Sequence, residues 1–300
     1  MPESRKKVRK SITNPVAFLS KIRECKRGCV MTRRDMVLLG SSALVLAICG
    51  TARAADCTPQ AEMVDATCYS TIQQAADAAI ALDRPLMLPR GSYQGPLTID
   101  YTAHANTGFE LISHGATVYG SLTIECTGDC FYFHQEGTIF INGQAPGYLV
   151  TVGKADFSDT HNSIKIDHMI VNNGGSGGAV QLNYVLNSDL FIVGDTAGQG
   201  AGLDVRQLQF STLKGATSSK QGYSMAIEDG YVIANSFQSL DLEASPACLA
   251  MTSPHANGNV WLSVYQDCPA LGVRSRSALT GNMGVAGVTG GAVRRAFDVQ

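Results

Sequence analysis

Ser163-Ile164-Lys165-Ile166, Ser188-Asp189-Leu190-Phe191, Ser211-Thr212-Leu213-Lys214, Ser236-Phe237-Gln238-Ser239 and Asn259-Val260-Trp261-Leu262 are five short strand-like cores. They recur about every 23 to 25 residues. Between them runs a second set with the same period: Val180-Gln181-Leu182, Leu203-Asp204-Val205, Met225-Ala226-Ile227, Leu249-Ala250-Met251 and Leu271-Gly272-Val273. A strand of three to five residues cannot bury its own apolar face, so two interleaved ladders of one period mean stacked coils that bury each other.

The repeat is rich in Gly, Ser, Asn, Val and Ile, with turn residues between the strands, as in Asn172-Asn173-Gly174-Gly175 and Gly194-Asp195-Thr196. Helical repeats would need long runs with apolar residues at i, i+3, i+4 and i+7, and the chain has none. The Leu comb of leucine-rich repeats is also absent. The expectation is an all-β, right-handed parallel β-helix with apolar stacks pointing inward. Asn162, Asn187 and Asn235 each precede a first strand. Stacked there, they would hydrogen-bond from coil to coil, with Phe210 interrupting the series. The residues expected inside are Ile166, Leu182, Val205, Ile227, Leu242, Leu262 and Val273. Trp261, the only Trp, has a place in the ladder that allows either burial or display.

Upstream, Thr71 to Leu82 reads TIQQAADAAIAL, with Ile72, Ala75, Ala76, Ala79 and Ile80 at helical spacing. Pro85-Leu86-Met87-Leu88-Pro89-Arg90-Gly91-Ser92-Tyr93 and Pro96-Leu97-Thr98-Ile99 follow. An Ala-rich helix, a strand, LPRGSY and another strand resemble the entrance of pectin-lyase-like right-handed β-helix proteins, over roughly residues 65 to 275. The resemblance implies a helix plugging the open end of the solenoid. It implies a fold more than a chemistry, because that superfamily holds lyases, hydrolases, epimerases, phage tail spikes and adhesins.

Residues 32 to 54 read as an export signal. Thr32-Arg33-Arg34-Asp35-Met36-Val37-Leu38 resembles a twin-arginine motif, an apolar stretch runs from Met36 to Ile48, and Ala52-Arg53-Ala54 is an A-x-A cleavage site. The stretch falls short of the ~20 residues of a membrane span. Residues 1 to 30 carry nine Lys or Arg and precede Met31, and read either as a mis-called start ahead of a true start at Met31 or as a long basic leader. The domain reading is therefore 1–54 leader and signal, 55–275 β-helix, and 276–300 a Gly-rich tail, with a periplasmic or secreted location.

Of the 23 Lys and Arg and 25 Asp and Glu, residues 1–54 hold twelve and three. Without them the chain has 11 basic and 22 acidic residues, a net charge of −11. Such a protein does not bind nucleic acid or anionic membranes by bulk charge. Six cysteines remain: Cys57, Cys68, Cys126, Cys130, Cys248 and Cys268. An even number in an exported chain points to disulfides, and proximity favours Cys57–Cys68, Cys126–Cys130 and Cys248–Cys268 among fifteen connectivities. A zinc reading of Cys126-x3-Cys130 with His134 lacks a fourth ligand.

Six histidines (His104, His114, His134, His161, His168, His255) are scattered. They read mostly as surface or turn residues. No nucleophile elbow accompanies them, since the one G-x-S-x-G match, Gly174 to Gly178, opens no helix. Gly174-Gly175-Ser176-Gly177-Gly178 is a turn rather than a phosphate loop, because neither Lys-Ser/Thr nor a helix follows. The Asn-Thr-Asp, Asp-Asp, Gly-His-Gly and Arg-x-Lys motifs of polygalacturonase-like members are missing from the mature chain, and no pectate-lyase-like motif stands out.

One outward position past the second strand holds Asn183, Arg206, Glu228, Thr252 and Arg274. Equivalent positions lie about 4.8 Å apart in successive coils. Arg206 and Glu228 would thus be neighbours, with Asp204 two residues back on the same face and Asp229 at the edge. Arg206 would hold a sugar carboxylate, and Glu228 would move a proton or help hold a cation such as Ca²⁺. The same three groups also read as an ordinary surface salt bridge. The functional expectation is binding or processing of a polysaccharide or cell-surface glycan. The alternative is a non-catalytic, adhesin-like surface solenoid.

The signal reading predicts a mature chain that begins near Ala55, and an Arg33→Lys/Arg34→Lys double variant that stays in the cytoplasm. N-terminal sequencing and cell fractionation check both; residues 1 to 30 on exported protein would contradict them.

Overall fold

The computed structural model describes residues 62–227, 230–275 and 283–285, with backbone only for 270–275 and 283–285. Cys57, Glu228, Asp229, the leader and most of the Gly-rich tail lie outside the described residues. The chain is a parallel β-solenoid of about eight turns. Each turn visits three sheets in sequence.

The long sheet has twelve strands; its central members are Phe109–Tyr119, Phe133–Gly143, Lys165–Asn173, Asp189–Thr196, Thr212–Ser219, Ser236–Glu243 and Val260–Leu262. The second sheet has eight, among them Leu97–Asp100, Leu122–Glu125, Val150–Val152, Val180–Leu182, Leu203–Val205, Tyr223–Ile227 and Ala247–Met251. A third, six-stranded sheet runs through Gly128–Phe131, Asp159–Asn162, Val185–Leu186, Leu208–Gln209, Tyr231–Ile233 and His255–Asn257. The two periodic sets of the sequence belong to the long and second sheets. The third sheet escaped the reading because its strands are two to four residues long, too short to show alternation.

The long strands exceed the three to five residues expected. Irregularities let two short pieces run on as one, with register shifts near His114–Ala116, Ile166–His168 and Leu213–Gly215. Gly115 and Gly137 take positive φ at 78° and 77°. An extra residue there bends the strand without ending it.

The corner between the third and long sheets is left-handed in every described coil. Gly108, Tyr132, Ser163, Asn187, Phe210, Ala234 and Gly258 occupy one phase, all with φ between 48° and 89°. Side chains other than glycine cost about 1–2 kcal/mol in that region, so each coil's lateral hydrogen bonds must hold the corner in place. The residue after the corner points inward. It runs Phe109, Phe133, Ile164, Ser188, Ser211, Asn235, Asn259, all buried.

In the later coils this inner row hydrogen-bonds upward. Ile164 N–H donates to Ser188 Oγ (2.9 Å), Ser188 N–H to Ser211 Oγ (3.0 Å), Ser211 N–H to Asn235 Oδ1 (2.9 Å) and Asn235 N–H to Asn259 Oδ1 (3.0 Å). Coil-to-coil bonding is thus present and the asparagines take part, Asn187 Nδ2 donating to Asn162 Oδ1 (3.1 Å) and Asn235 to Asn259 Oδ1, but the three grouped from sequence do not form one row. Asn162 ends a third-sheet strand, Asn187 is the left-handed corner, and only Asn235 lies in the inner row. Phe210 is at the corner too and faces water.

Ile166, Leu182, Val205, Ile227 and Leu242 are buried as expected. Leu262 is not: it is 37% exposed, while Trp261 is fully buried and stacks on Phe237 with ring centroids 4.1 Å apart. The register pairs Phe237 with Trp261 and Gln238 with Leu262, so the Trp continues the inward row. The side chain of Val273 is outside the described residues.

At the N-terminal end, α1 (Ile72–Leu82) is capped by Thr71, whose Oγ1 accepts from Gln74 N–H. It buries Ile72, Ala75, Ala76 and Ala79, with Ile80 half-buried. The Gln73 amide accepts from Thr98 N–H (2.7 Å) and donates to Thr98 O (2.9 Å). Thr98 lies on the edge strand of the second sheet, whose backbone groups would otherwise lack partners. No helix among the described residues is long and apolar enough to cross a membrane.

Cys126–Cys130 and Cys248–Cys268 are bonded. Cys68 is also disulfide-bonded. The glycine run Gly174–Gly178 is close stacking: a Cβ on Gly177 would sit 1.9 Å from Gly147 O.

The register is testable by a pair of substitutions. Trp261→Ala should cost about 3–5 kcal/mol in chemical denaturation, and Ile227→Asp should prevent folding. Leu262→Asp should stay within about 0.5 kcal/mol of wild type. A severe loss for Leu262→Asp with a tolerant Trp261 would place the last long strand one residue out.

Candidate functional site

Asp204 pairs laterally with Gln181 and Ala226 and is nearly buried, accepting from Gln181 Nε2 at 2.8 Å. Arg206, half-buried, follows that strand. Its Nη1 donates to Ala155 O (3.3 Å), and its guanidinium stands 4.8 Å from the centre of the Phe157 ring. Arg206 therefore clamps the loop Lys154–Ser158. Glu228 lies outside the described residues, so its distance from Arg206 is not defined. Asn183, expected outward in the same phase, is buried and donates to Gly153 O (2.7 Å), because the chain there turns the corner into the third sheet.

A different face gathers chemistry. In the first half of the long strands, the outward residues opposite one another are Glu110, His134, Lys165 and Asp189. Two residues on stand Glu136 and Asp167. The inward alternates Leu111, Gln135, Ile166 and Leu190 are buried, which fixes the direction of the charged set by strand alternation. His134 Nδ1 is 3.6 Å from Glu110 Oε1, and its Nε2 is 3.6 Å from Asp167 Oδ1. Lys165 Nζ is 2.9 Å from Asp167 Oδ1 and 3.5 Å from His134 Nε2. Glu110, His134 and Glu136 each offer a ligand atom within 4.8 Å of the others.

Burial alone would raise the Asp167 carboxyl. The hydrogen bonds from Lys165 and from Gly137 N–H outweigh it and hold Asp167 below the usual carboxylate range. Asp167 thus stays ionised at neutral pH and anchors Lys165.

A shallow groove of about 280 Å³ opens beside this cluster, lined by Asp83, Arg84, Glu110, Tyr132 and His134 among others. Aromatic side chains stand along the same side. Tyr132 and Phe210, in the same corner phase, are 59% and 61% exposed. Phe191 meets His168 edge-on at 4.7 Å. The sequence signal for this face was present in Lys165 and Asp189, each the outward residue of a quoted strand. It was lost further up because the step from His134 to Lys165 is 31 residues, stretched by loops at 144–149 and 153–158.

A second cluster lies inside the solenoid. His161 Nε2 is 2.9 Å from Asp159 Oδ2, and its Nδ1 is 2.7 Å from Tyr101 Oη. Asp159 also accepts from Lys154 N–H (2.6 Å) and Cys126 N–H (3.3 Å). Burial would raise the Asp159 carboxyl; His161 and the two backbone donors outweigh it and hold it low. Burial, and then the Asp159 charge, push the Tyr101 phenol up. The histidine beside the Cys126–Cys130 pair is therefore His161, laterally opposite Cys130, and not His134, which faces outward. Spacing missed it because solenoid neighbours are one coil, about 30 residues here, apart.

Comparison with protein-family models, with curated proteins and with solved structures gives no match.

The Arg206 clamp predicts that Arg206→Ala frees the loop Lys154–Ser158 with little change in global melting, since an exposed to partly desolvated cation–π contact is worth about 0.5–2 kcal/mol. Limited proteolysis and peptide-resolved hydrogen exchange read this directly. Unchanged protection of that loop would remove the clamp.

Proposed function

We propose that the chain is an exported protein that binds polysaccharide along the outer face of its long sheet and hydrolyses it at Glu110 and Glu136. The observation that carries this reading is the convergence of two carboxylates and one imidazole from adjacent coils within 4.8 Å, beside an open groove. An extended sugar chain suits a surface that repeats every coil. Exposed Tyr132 and Phe210 supply faces for sugar rings, three coils apart on one line.

Hydrolysis of a glycosidic bond needs one carboxylic acid to protonate the leaving oxygen and one carboxylate to support the developing positive charge. Carboxyl groups about 5 Å apart suit a covalent glycosyl intermediate with retention, whereas inversion needs about 6.5–9.5 Å to admit water. Glu136, the more exposed, is assigned as nucleophile. Glu110, at the groove wall beside His134, is assigned as acid. The Ala-rich helix and LPRGSY resemblance to pectin-lyase-like proteins, a superfamily with hydrolases and lyases, supports the substrate class. The bonded cysteine pairs support an oxidising location.

A second reading places the chemistry at Arg206 with Glu228 and Asp204, acting on a uronate-containing chain. Arg206's side chain lies at the coil surface, in favour of that reading, although it already serves the Lys154–Ser158 loop.

A polysaccharide panel on the mature protein, following new reducing ends and unsaturated-uronate absorbance, tests both. Glu110→Gln and Glu136→Gln should each lower turnover at least 100-fold with circular dichroism unchanged. Loss in Arg206→Ala and Glu228→Gln alone would move the site to the second sheet. Binding by wild type without turnover would leave a non-catalytic glycan-binding solenoid.

A further inference from the structure

We propose that Cys126, Cys130, Asp159 and His161 form a buried zinc site in the dithiol form of the chain, and that the Cys126–Cys130 disulfide is its oxidised, metal-free alternative. Two sulfurs, one imidazole nitrogen and one carboxylate oxygen are a tetrahedral donor set of the kind zinc takes. The ligand atoms of Cys126, Asp159 and His161 lie within 4.8 Å of one another, and Cys130 Sγ is bonded to Cys126 Sγ. Cys130 and His161 face each other on adjacent third-sheet strands. All four residues are at most 1% exposed.

The surroundings are those of a metal site. Tyr101 Oη holds His161 Nδ1, leaving Nε2 as the ligand nitrogen, and Lys154 N–H holds Asp159 Oδ1. Partners of this kind orient ligands before the metal arrives. Lys154 Nζ donates to Cys126 O (2.7 Å). Two thiolates and a carboxylate carry three negative charges; a divalent ion and the Lys154 ammonium carry three positive.

The fold itself gives little reason for this group. A disulfide spanning four residues closes too short a loop to restrict the unfolded chain much. A buried Asp–His pair costs more in desolvation than an aliphatic pair of the same volume. The later coils put Val185, Leu208, Val232 and Ala256 at the lateral position of His161 instead.

The chemistry balances. A dithiol or phosphine reductant gives two electrons to the S–S bond, which becomes two thiols, and the reductant is oxidised to its disulfide or phosphine oxide. Zinc then displaces the two thiol protons to solvent. A low-molecular-weight disulfide reverses the step: it takes up the two electrons, the protein disulfide re-forms and the ion leaves. The loop Lys154–Ser158, whose Lys154 N–H holds Asp159, is itself clamped from outside by Arg206.

The test uses the full chain, reduced anaerobically with a non-chelating phosphine. Cobalt(II) added as probe should give a thiolate-to-metal band at one equivalent, and zinc should displace it. Oxidised glutathione should then release one equivalent of zinc to a chromogenic chelator. The Cys126→Ser/Cys130→Ser double variant should bind at least 100-fold more weakly, and Asp159→Asn or His161→Gln at least 10-fold. Because the last two sit in the core, wild-type protein supplies an independent reading: zinc should slow alkylation of Cys126 and Cys130, resolved by peptide mass spectrometry, more than that of Cys248 and Cys268. Equal alkylation with and without zinc, or full affinity in the double serine variant, overturns the proposal.

Discussion

A coil can lie flat on the one before it only if both turn at the same place. The left-handed corner from Gly108 to Gly258 is that place, and every other regularity of the described solenoid depends on it. Five of its seven residues carry side chains in a region that ordinarily excludes them. The corner stays because its amide is bonded to the next coil, as Ser163 N–H is to Leu186 O and Asn187 N–H to Gln209 O. Local strain and lateral bonding are thus one arrangement, and neither persists without the other.

What the sequence revealed and what it hid divide along that line. The period was visible, because Ser or Asn follows most corners and a buried apolar residue stands two positions further on, as Leu190, Leu213, Phe237 and Trp261 do. Ile166, Leu182, Val205 and Ile227 could be placed inside from alternation alone. The last coil misled, since Trp261 and Leu262 are both apolar and alternation does not choose between them; the stacked Phe237 does. The sequence-local cysteine pairs Cys126–Cys130 and Cys248–Cys268 could be picked because each is close in chain and in coil phase.

The chemistry was harder to see, for a geometric reason. In a solenoid, neighbours on a face are a full turn apart in sequence, and the turn containing 144–158 is the longest. It shifts Lys165 out of phase with His134 and separates Cys126 from His161 by 35 positions. Both clusters therefore sit against the one irregular coil. The same insertion supplies Lys154, which donates to Asp159, and Phe157, which receives Arg206. Regular coils build the wall; the irregular one brings unlike residues together.

The inner row beside the corner changes character along the axis, from Phe109, Phe133 and Ile164 to Ser188, Ser211, Asn235 and Asn259. The first coils are cemented there by apolar contact, whose driving force fades on cooling. The later ones are cemented by amide and hydroxyl bonds, which do not share that temperature dependence. One molecule therefore carries two kinds of mortar end to end. At this row, cooling weakens the cement of the helix-bearing coils more than that of the asparagine-bearing ones.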